Sequence, residues 1–282
     1  MAKLSNLAAR LLVAAVAVPL LLVIIYLESP VFVWALVFAA SLIGMLEFFA
    51  MTLADRRDRW VSTGIGGAAI ATFYWLPGAV SAPQQILAAQ NAALMIAVLP
   101  VAFYYLFRVG DMETVAKRMA FSITGIVYVG FLFAFLALIK RDFGAAGGHF
   151  VLLVLATAWL SDTGAYAAGK TLGKHKLYPA VSPKKTWEGA VGATVAAAVG
   201  AAVIKLWLLP EVGWFDMAVM AIGGSILGQL GDLVVSFIKR SQHVKDSGEI
   251  LPGHGGILDR VDAVLAIAPF IYVYANLRLV FA

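Results

Sequence analysis

Asp232, Ser236, Lys239 and Arg240 stand at i, i+4, i+7 and i+8. On a helix these positions share one face. A carboxylate, a hydroxyl and two cations in one stripe can gather a polyanion. The chain continues with Lys245-Asp246-Ser247-Gly248, then Leu251-Pro252-Gly253-His254-Gly255-Gly256, then Asp259-Arg260-Val261-Asp262. One Pro and three Gly within 252–256 exclude a helix interior there. Glycines also let backbone N–H groups come close to an anion. Asp259 and Asp262, at i and i+3, open the last apolar stretch, where either one singly reads as a helix cap. Together with Asp232 they describe an oxygen-donor site for a hard cation. Mg²⁺ is commonly held by one or two carboxylates plus waters and substrate phosphates. A lone His254 is expected to hydrogen-bond rather than to ligate a metal. The chain has no cysteine, which excludes disulfides, thiolate zinc sites and cysteine nucleophiles.

A second polar segment precedes this one. It reads Gly169-Lys170, Gly173-Lys174, then Ser182-Pro183-Lys184-Lys185-Thr186-Trp187-Glu188-Gly189. Ser182, Lys184 and Lys185 lie just before an apolar stretch, within reach of a lipid phosphate at a membrane surface. Asp162 lies inside the apolar stretch before it, in Trp159-Leu160-Ser161-Asp162-Thr163-Gly164-Ala165-Tyr166. A carboxylate there is costly and marks function by default. Its role stays open, as do those of Asp246 and Asp262.

The elements that carry these residues are set by composition. Hydrophobic residues make up 62% of 282, charged residues 13%, and the mean hydropathy is +0.91. A soluble domain carries roughly 25% charged residues, so most of this surface must face lipid. A spanning helix needs roughly 20 apolar residues. Nine candidates lie near 8–27, 31–52, 61–80, 88–107, 119–139, 149–169, 188–209, 216–238 and 260–281. The apolar run after Lys3 and Arg10 lacks a small-residue cleavage pattern and reads as a retained first span. With the N-terminus inside, 17 of the 21 Lys and Arg residues fall on inner segments and 4 on outer ones. The expectation is an all-α polytopic integral membrane protein with about nine transmembrane helices, N-terminus cytoplasmic and C-terminus outside. Residues 1–140 hold spans one to five. Residues 141–282 hold spans six to nine, with the catalytic inner loops 170–187 and 239–259. The net charge of +5 and pI near 9.4 follow from this topology. Basic residues scattered over many short loops speak against a nucleic-acid partner.

Residues 236–262 resemble the signature of the phosphatidate cytidylyltransferase (CDP-diacylglycerol synthase) family. Its fixed positions are filled by Ser236, Lys239, Arg240, Lys245, Asp246, Gly248, Leu251, Pro252, His254, Gly255, Gly256, Asp259, Arg260 and Asp262. Ser161 to Tyr166 and Ser182 to Gly189 are similar to the family as well. The resemblance covers about the C-terminal half; the N-terminal half matches as a set of apolar spans. It implies a membrane enzyme of the bacterial cytoplasmic membrane, working on CTP and phosphatidic acid with Mg²⁺ and releasing pyrophosphate on the cytoplasmic side. It further implies a metal centre on Asp232 and Asp259, K⁺ as a second cation, and a homodimer. On this reading Lys239, Arg240, Lys245 and Arg260 bind the triphosphate or the leaving group. Ser182, Lys184 and Lys185 take the lipid phosphate. Gly255 and Gly256, beside His254, let the loop close on CTP. A CTP-dependent transferase acting on another lipid uses the same parts. A cation-coupled transporter would explain Asp162 and Asp232 in glycine-containing helices, but not the dense Lys, Asp and Gly residues over 239–262.

Overall fold

The computed structural model describes residues 17–79, 82–248 and 255–279. Helices overlap each of the nine apolar segments, with several boundaries shifted by two to seven residues. They are α1 (Ala17–Tyr26), α2 (Val31–Thr52), α3 (Arg56–Gly78), α4 (Pro83–Phe107), α5 (Met112–Thr124) running on into α6 (Leu132–Asp142), α7 (Gly147–Thr171), α8 (Trp187–Trp207), α9 (Trp214–Ser241) and, after the one-turn α10 (Leu258–Val261), α11 (Val264–Arg278). Among the described residues, six are long and apolar enough to cross a membrane: Val31–Thr52, Gln84–Phe107, Met112–Asp142, Gly144–Thr171, Trp187–Trp207 and Trp214–Ser241. The helices Ala17–Tyr26 and Val264–Arg278 are apolar but shorter. Helix α3 carries Arg56, Arg57, Asp58 and Arg59 in its first turn, which lowers its apolarity.

One departure from all-helical structure lies in the polar segment read as a loop at 170–187. Helix α7 continues to Thr171, and β1 (Lys176–Tyr178) and β2 (Ser182–Thr186) form a small antiparallel hairpin. Lys176 stands opposite Thr186 and Tyr178 opposite Ser182. Thr186 then caps α8, its hydroxyl accepting from the Gly189 N–H at 3.1 Å. The hairpin thus delivers Lys184 and Lys185 directly to a helix start.

The described residues group into two compact units. The first takes in 17–20, 31–79, 82–137, 246–248 and 255–258. In it α5 and α6 are joined by a π-helical stretch, Gly125–Phe131, whose Gly125 lies against Phe48 and Phe49. A buried carboxylate ties three helices together. Asp58, 1% exposed, accepts from Tyr104 Oη at 2.7 Å and Arg118 at 3.2 Å, with Arg108 at 3.5 Å. Such a charge is tolerable in the interior only because it is paired and hydrogen-bonded.

The second unit takes in 21–30, 138–245 and 259–279. Helices α7 and α8 cross at Gly164 and Gly192, where a side chain on Gly164 would collide with the Gly192 carbonyl. A Cβ on Gly231 of α9 would stand 2.8 Å from the Asp262 carbonyl oxygen. That close approach brings Asp232 beside Asp262. On α8, Val191, Val195, Val199 and Val203 form an exposed stripe at four-residue spacing, the face a lipid-bathed helix presents outward.

Candidate active site

Five elements of the second unit surround a cavity of about 310 Å³, the start of α8 among them through Gly189 and Ala190. Helix α7 contributes Asp162, Tyr166 and Lys170, the hairpin Lys184 and Lys185, α9 Gln229 and Asp232, and α11 Ile267. Below it runs a polar ladder. Ser161 Oγ and Ser225 Oγ are 2.9 Å apart, and Gln229 Nε2 donates to Ser225 at 3.3 Å and to the Ala190 carbonyl at 3.4 Å. These groups satisfy one another inside the helices, which is what allows polar side chains at this depth.

The charged groups are arranged in pairs. Lys185 Nζ lies 2.7 Å from Asp232 Oδ2, and Ser236 Oγ donates to Asp232 Oδ1 at 3.2 Å. One helical turn on, Lys239 Nζ lies 2.5 Å from Asp259 Oδ1, with both side chains about nine-tenths buried, at 10% and 9% exposure. Asp262 accepts from the Ala263 N–H at 2.8 Å and lies in the field of Asp232, Asp162 and Lys239. Asp162 lies in the field of Asp232, Lys185 and Arg260. Three carboxylates and their cations therefore share one electrostatic neighbourhood.

Of the expected stripe on α9, Asp232 and Ser236 are joined and Lys239 turns to Asp259. Arg240 is exposed and donates to the Val244 carbonyl at 3.1 Å, away from the cavity. Lys184 and Lys185 are on the cavity wall; Ser182 begins β2, and the cavity lining does not include it. Lys245, Asp246 and Arg260 are exposed. Gly255 has a positive φ of 77°, and Gly256 is buried against Ser247 and Glu47. His254 lies outside the described residues.

The donor set bears on the metal expectation. Among the described residues, no three Asp, Glu or His side chains converge as ligands of one ion. Asp259 is occupied by Lys239. The carboxylates that share a field are Asp162, Asp232 and Asp262. This set fits a cation that takes one or two protein carboxylates and completes its shell with phosphate and water, rather than one caged by protein alone.

Tyr166, Lys170 and Gln229 were not singled out by sequence. The signal was present: Asp162, Tyr166, Gly169 and Lys170 share a helix face, and Gln229 precedes Asp232 by three residues.

Comparison with known proteins finds relatives that share one name. Over 154 residues the chain is 42% identical to a phosphatidate cytidylyltransferase of Staphylococcus saprophyticus, covering 55% of this chain and 58% of that protein. A protein of the same name from Bacillus subtilis is 41% identical over 155 residues, 55% of this chain and 57% of its own length. One from Brucella suis is 41% identical over 150 residues, 53% and 55% respectively. The chain thus spans less than three fifths of the length of these relatives. The profile of the cytidylyltransferase family matches residues 8–278, nearly the whole sequence, and on that match the chain belongs to the cytidylyltransferase family.

Proposed function

We propose that this protein transfers a cytidylyl group from CTP to phosphatidic acid, giving CDP-diacylglycerol and pyrophosphate. The observation that carries the reading is the cavity in which Asp162 and Asp232 face Lys170, Lys184 and Lys185. A site that must bring two polyanions together needs cations to hold phosphate. Its carboxylates would hold a divalent ion that offsets phosphate charge. The relatives named for this reaction support the choice of substrates.

In the reaction, a phosphate oxygen of phosphatidic acid attacks the α-phosphorus of CTP. The bond from that phosphorus to the bridging oxygen breaks, and pyrophosphate leaves with the electron pair. The nucleophile is already an anion, so no strong base is required; positioning and charge neutralisation carry the rate. Lys184 and Lys185 hold the lipid phosphate. Lys239, Lys245 and Arg260 serve the triphosphate. Asp232 and Asp262 would hold Mg²⁺, which supplies charge neutralisation on phosphate oxygens. Asp259 joins them if Lys239 moves to the substrate. K⁺ as a second cation and a homodimer are proposed on family resemblance alone. The active site faces the cytoplasm, on the support of the uneven Lys and Arg distribution.

The test is pyrophosphate release by purified protein in detergent with CTP, Mg²⁺ and phosphatidic acid, omitting each in turn. Release that needs all three, and is lost in Asp259→Asn while the variant still inserts, supports the reading. Release with another lipid in place of phosphatidic acid would move the acceptor. No release from folded, lipid-supplemented protein would overturn it.

A further inference from the structure

Glu47 sits inside α2, one of the most apolar helices, and is only 5% exposed. Its neighbours Met45, Phe48 and Phe49 are all buried. A carboxylate in such a place needs a reason. The structure supplies three donors. The Ile257 N–H donates to Oε1 at 2.9 Å, the Leu258 N–H to Oε2 at 2.9 Å, and Ser247 Oγ to Oε2 at 3.0 Å. Ser247 is before the glycine-rich part of the signature and Ile257 and Leu258 are after it, so one side chain gathers both ends of that segment.

The glycines around it fit the same account. A Cβ on Gly248 would stand 2.7 Å from Glu47 Oε1, and one on Gly256 would collide with Ser247 Oγ and Glu47 Oε2. These two positions lack side chains because the Glu47 carboxylate fills the space. The bonds are charge-assisted and shielded from water, which makes them the strong kind. Leu258 is followed directly by Asp259 and Arg260.

We infer that Glu47 is a positioning residue of the transferase: its carboxylate fixes Ser247 and the Gly256–Leu258 backbone in one register and thereby sets the chain that leads into Asp259 and Arg260. The inference rests on the proposed cytidylyl transfer for its kinetic part only. Glu47 acts through its neighbours. Its partners are the backbone and a hydroxyl of the signature.

The experiment compares full-length wild type, Glu47→Gln, Glu47→Asp and Ser247→Ala in detergent. Hydrogen–deuterium exchange is followed over 255–262, together with the KM for CTP and for phosphatidic acid. Glu47→Gln keeps the size of the side chain but turns an NH₂ group towards N–H donors. It is expected to speed exchange at Ile257 and Leu258 by about tenfold or more. KM for CTP should rise while KM for the lipid stays put, a split that mere loss of folded protein does not produce. Glu47→Asp retains the charge and should fall between Glu47→Gln and wild type. Unchanged exchange in folded Glu47→Gln overturns the inference. If Glu47→Gln does not fold, Ser247→Ala removes one donor alone; faster exchange over 255–262 then supports the inference and unaltered exchange overturns it. A wild type without transferase activity would sink the proposed reaction and leave the exchange result to decide the role of Glu47.

Discussion

Lys185 and Asp232 meet at 2.7 Å, joining the strand before α8 to the C-terminal half of α9. Neither side chain is fully buried, at 26% and 29% exposure, and both line the cavity. In the protein without substrate the pair neutralises a carboxylate that would otherwise sit uncompensated between helices. In the proposed reaction Lys185 would turn to a phosphate, and Asp232, released from it, would be available to hold a cation.

The pair is therefore expected to act as a unit. Asp232→Asn and Lys185→Ala should each lower turnover by roughly a hundredfold or more, as the loss of a group that stabilises charge in the transition state does. The double variant should be little worse than either single one, because each change already disables the other partner. Pyrophosphate release by all three variants checks this. Losses that multiply would show that the two residues work independently.

Lys239 and Asp259 call for a different test, since both are about nine-tenths buried. Lys239→Met strands the Asp259 carboxylate and should cost about 3–5 kcal/mol of stability. Lys239→Met with Asp259→Leu removes both charges and should recover most of that loss, while turnover stays absent. Thermal unfolding in detergent measures the first effect and pyrophosphate release the second. A double variant as unstable as Lys239→Met alone would show that packing, not charge, sets the cost.

Lys245 is exposed, beyond the end of α9. An exposed lysine next to the signature glycines suits the triphosphate of the proposed reaction. Lys245→Ala should raise KM for CTP by about tenfold, the worth of one charge-assisted contact, and alter KM for phosphatidic acid less. The opposite order would remove Lys245 from the nucleotide.

How much of this was legible in sequence depended on whether a residue's partner was near in the chain. Asp232 and Ser236 are one turn apart, and periodicity alone placed them together. Asp259 and Asp262, three residues apart, read together with Asp232 as one oxygen-donor site. In the structure Asp259 is bound to Lys239, 20 residues earlier, and spacing cannot report such a contact. The helices were visible because apolar runs of this length have few other uses. The hairpin at 176–186 was not, because Pro179, Pro183 and three lysines look like solvated loop. Glu47 was passed over altogether. Its partners lie 200 to 211 residues away, two of them backbone N–H groups that no side-chain pattern records.

The topology rests on charge asymmetry and can be read directly, because a chain without cysteine accepts single reporter thiols. Ala79, after α3, and Ser241, at the end of α9, are both exposed. In intact cells a membrane-impermeant maleimide should label Ala79→Cys and leave Ser241→Cys untouched until the membrane is opened. The positive-inside bias requires this order, since Arg56, Arg57 and Arg59 precede α3 while Lys239, Arg240 and Lys245 follow α9. It also matches the proposed reaction, in which CTP comes from the cytoplasmic side and the signature would face it. Labelling in the reverse order would put the signature on the wrong side for a cytosolic nucleotide and would overturn the proposed reaction along with the topology.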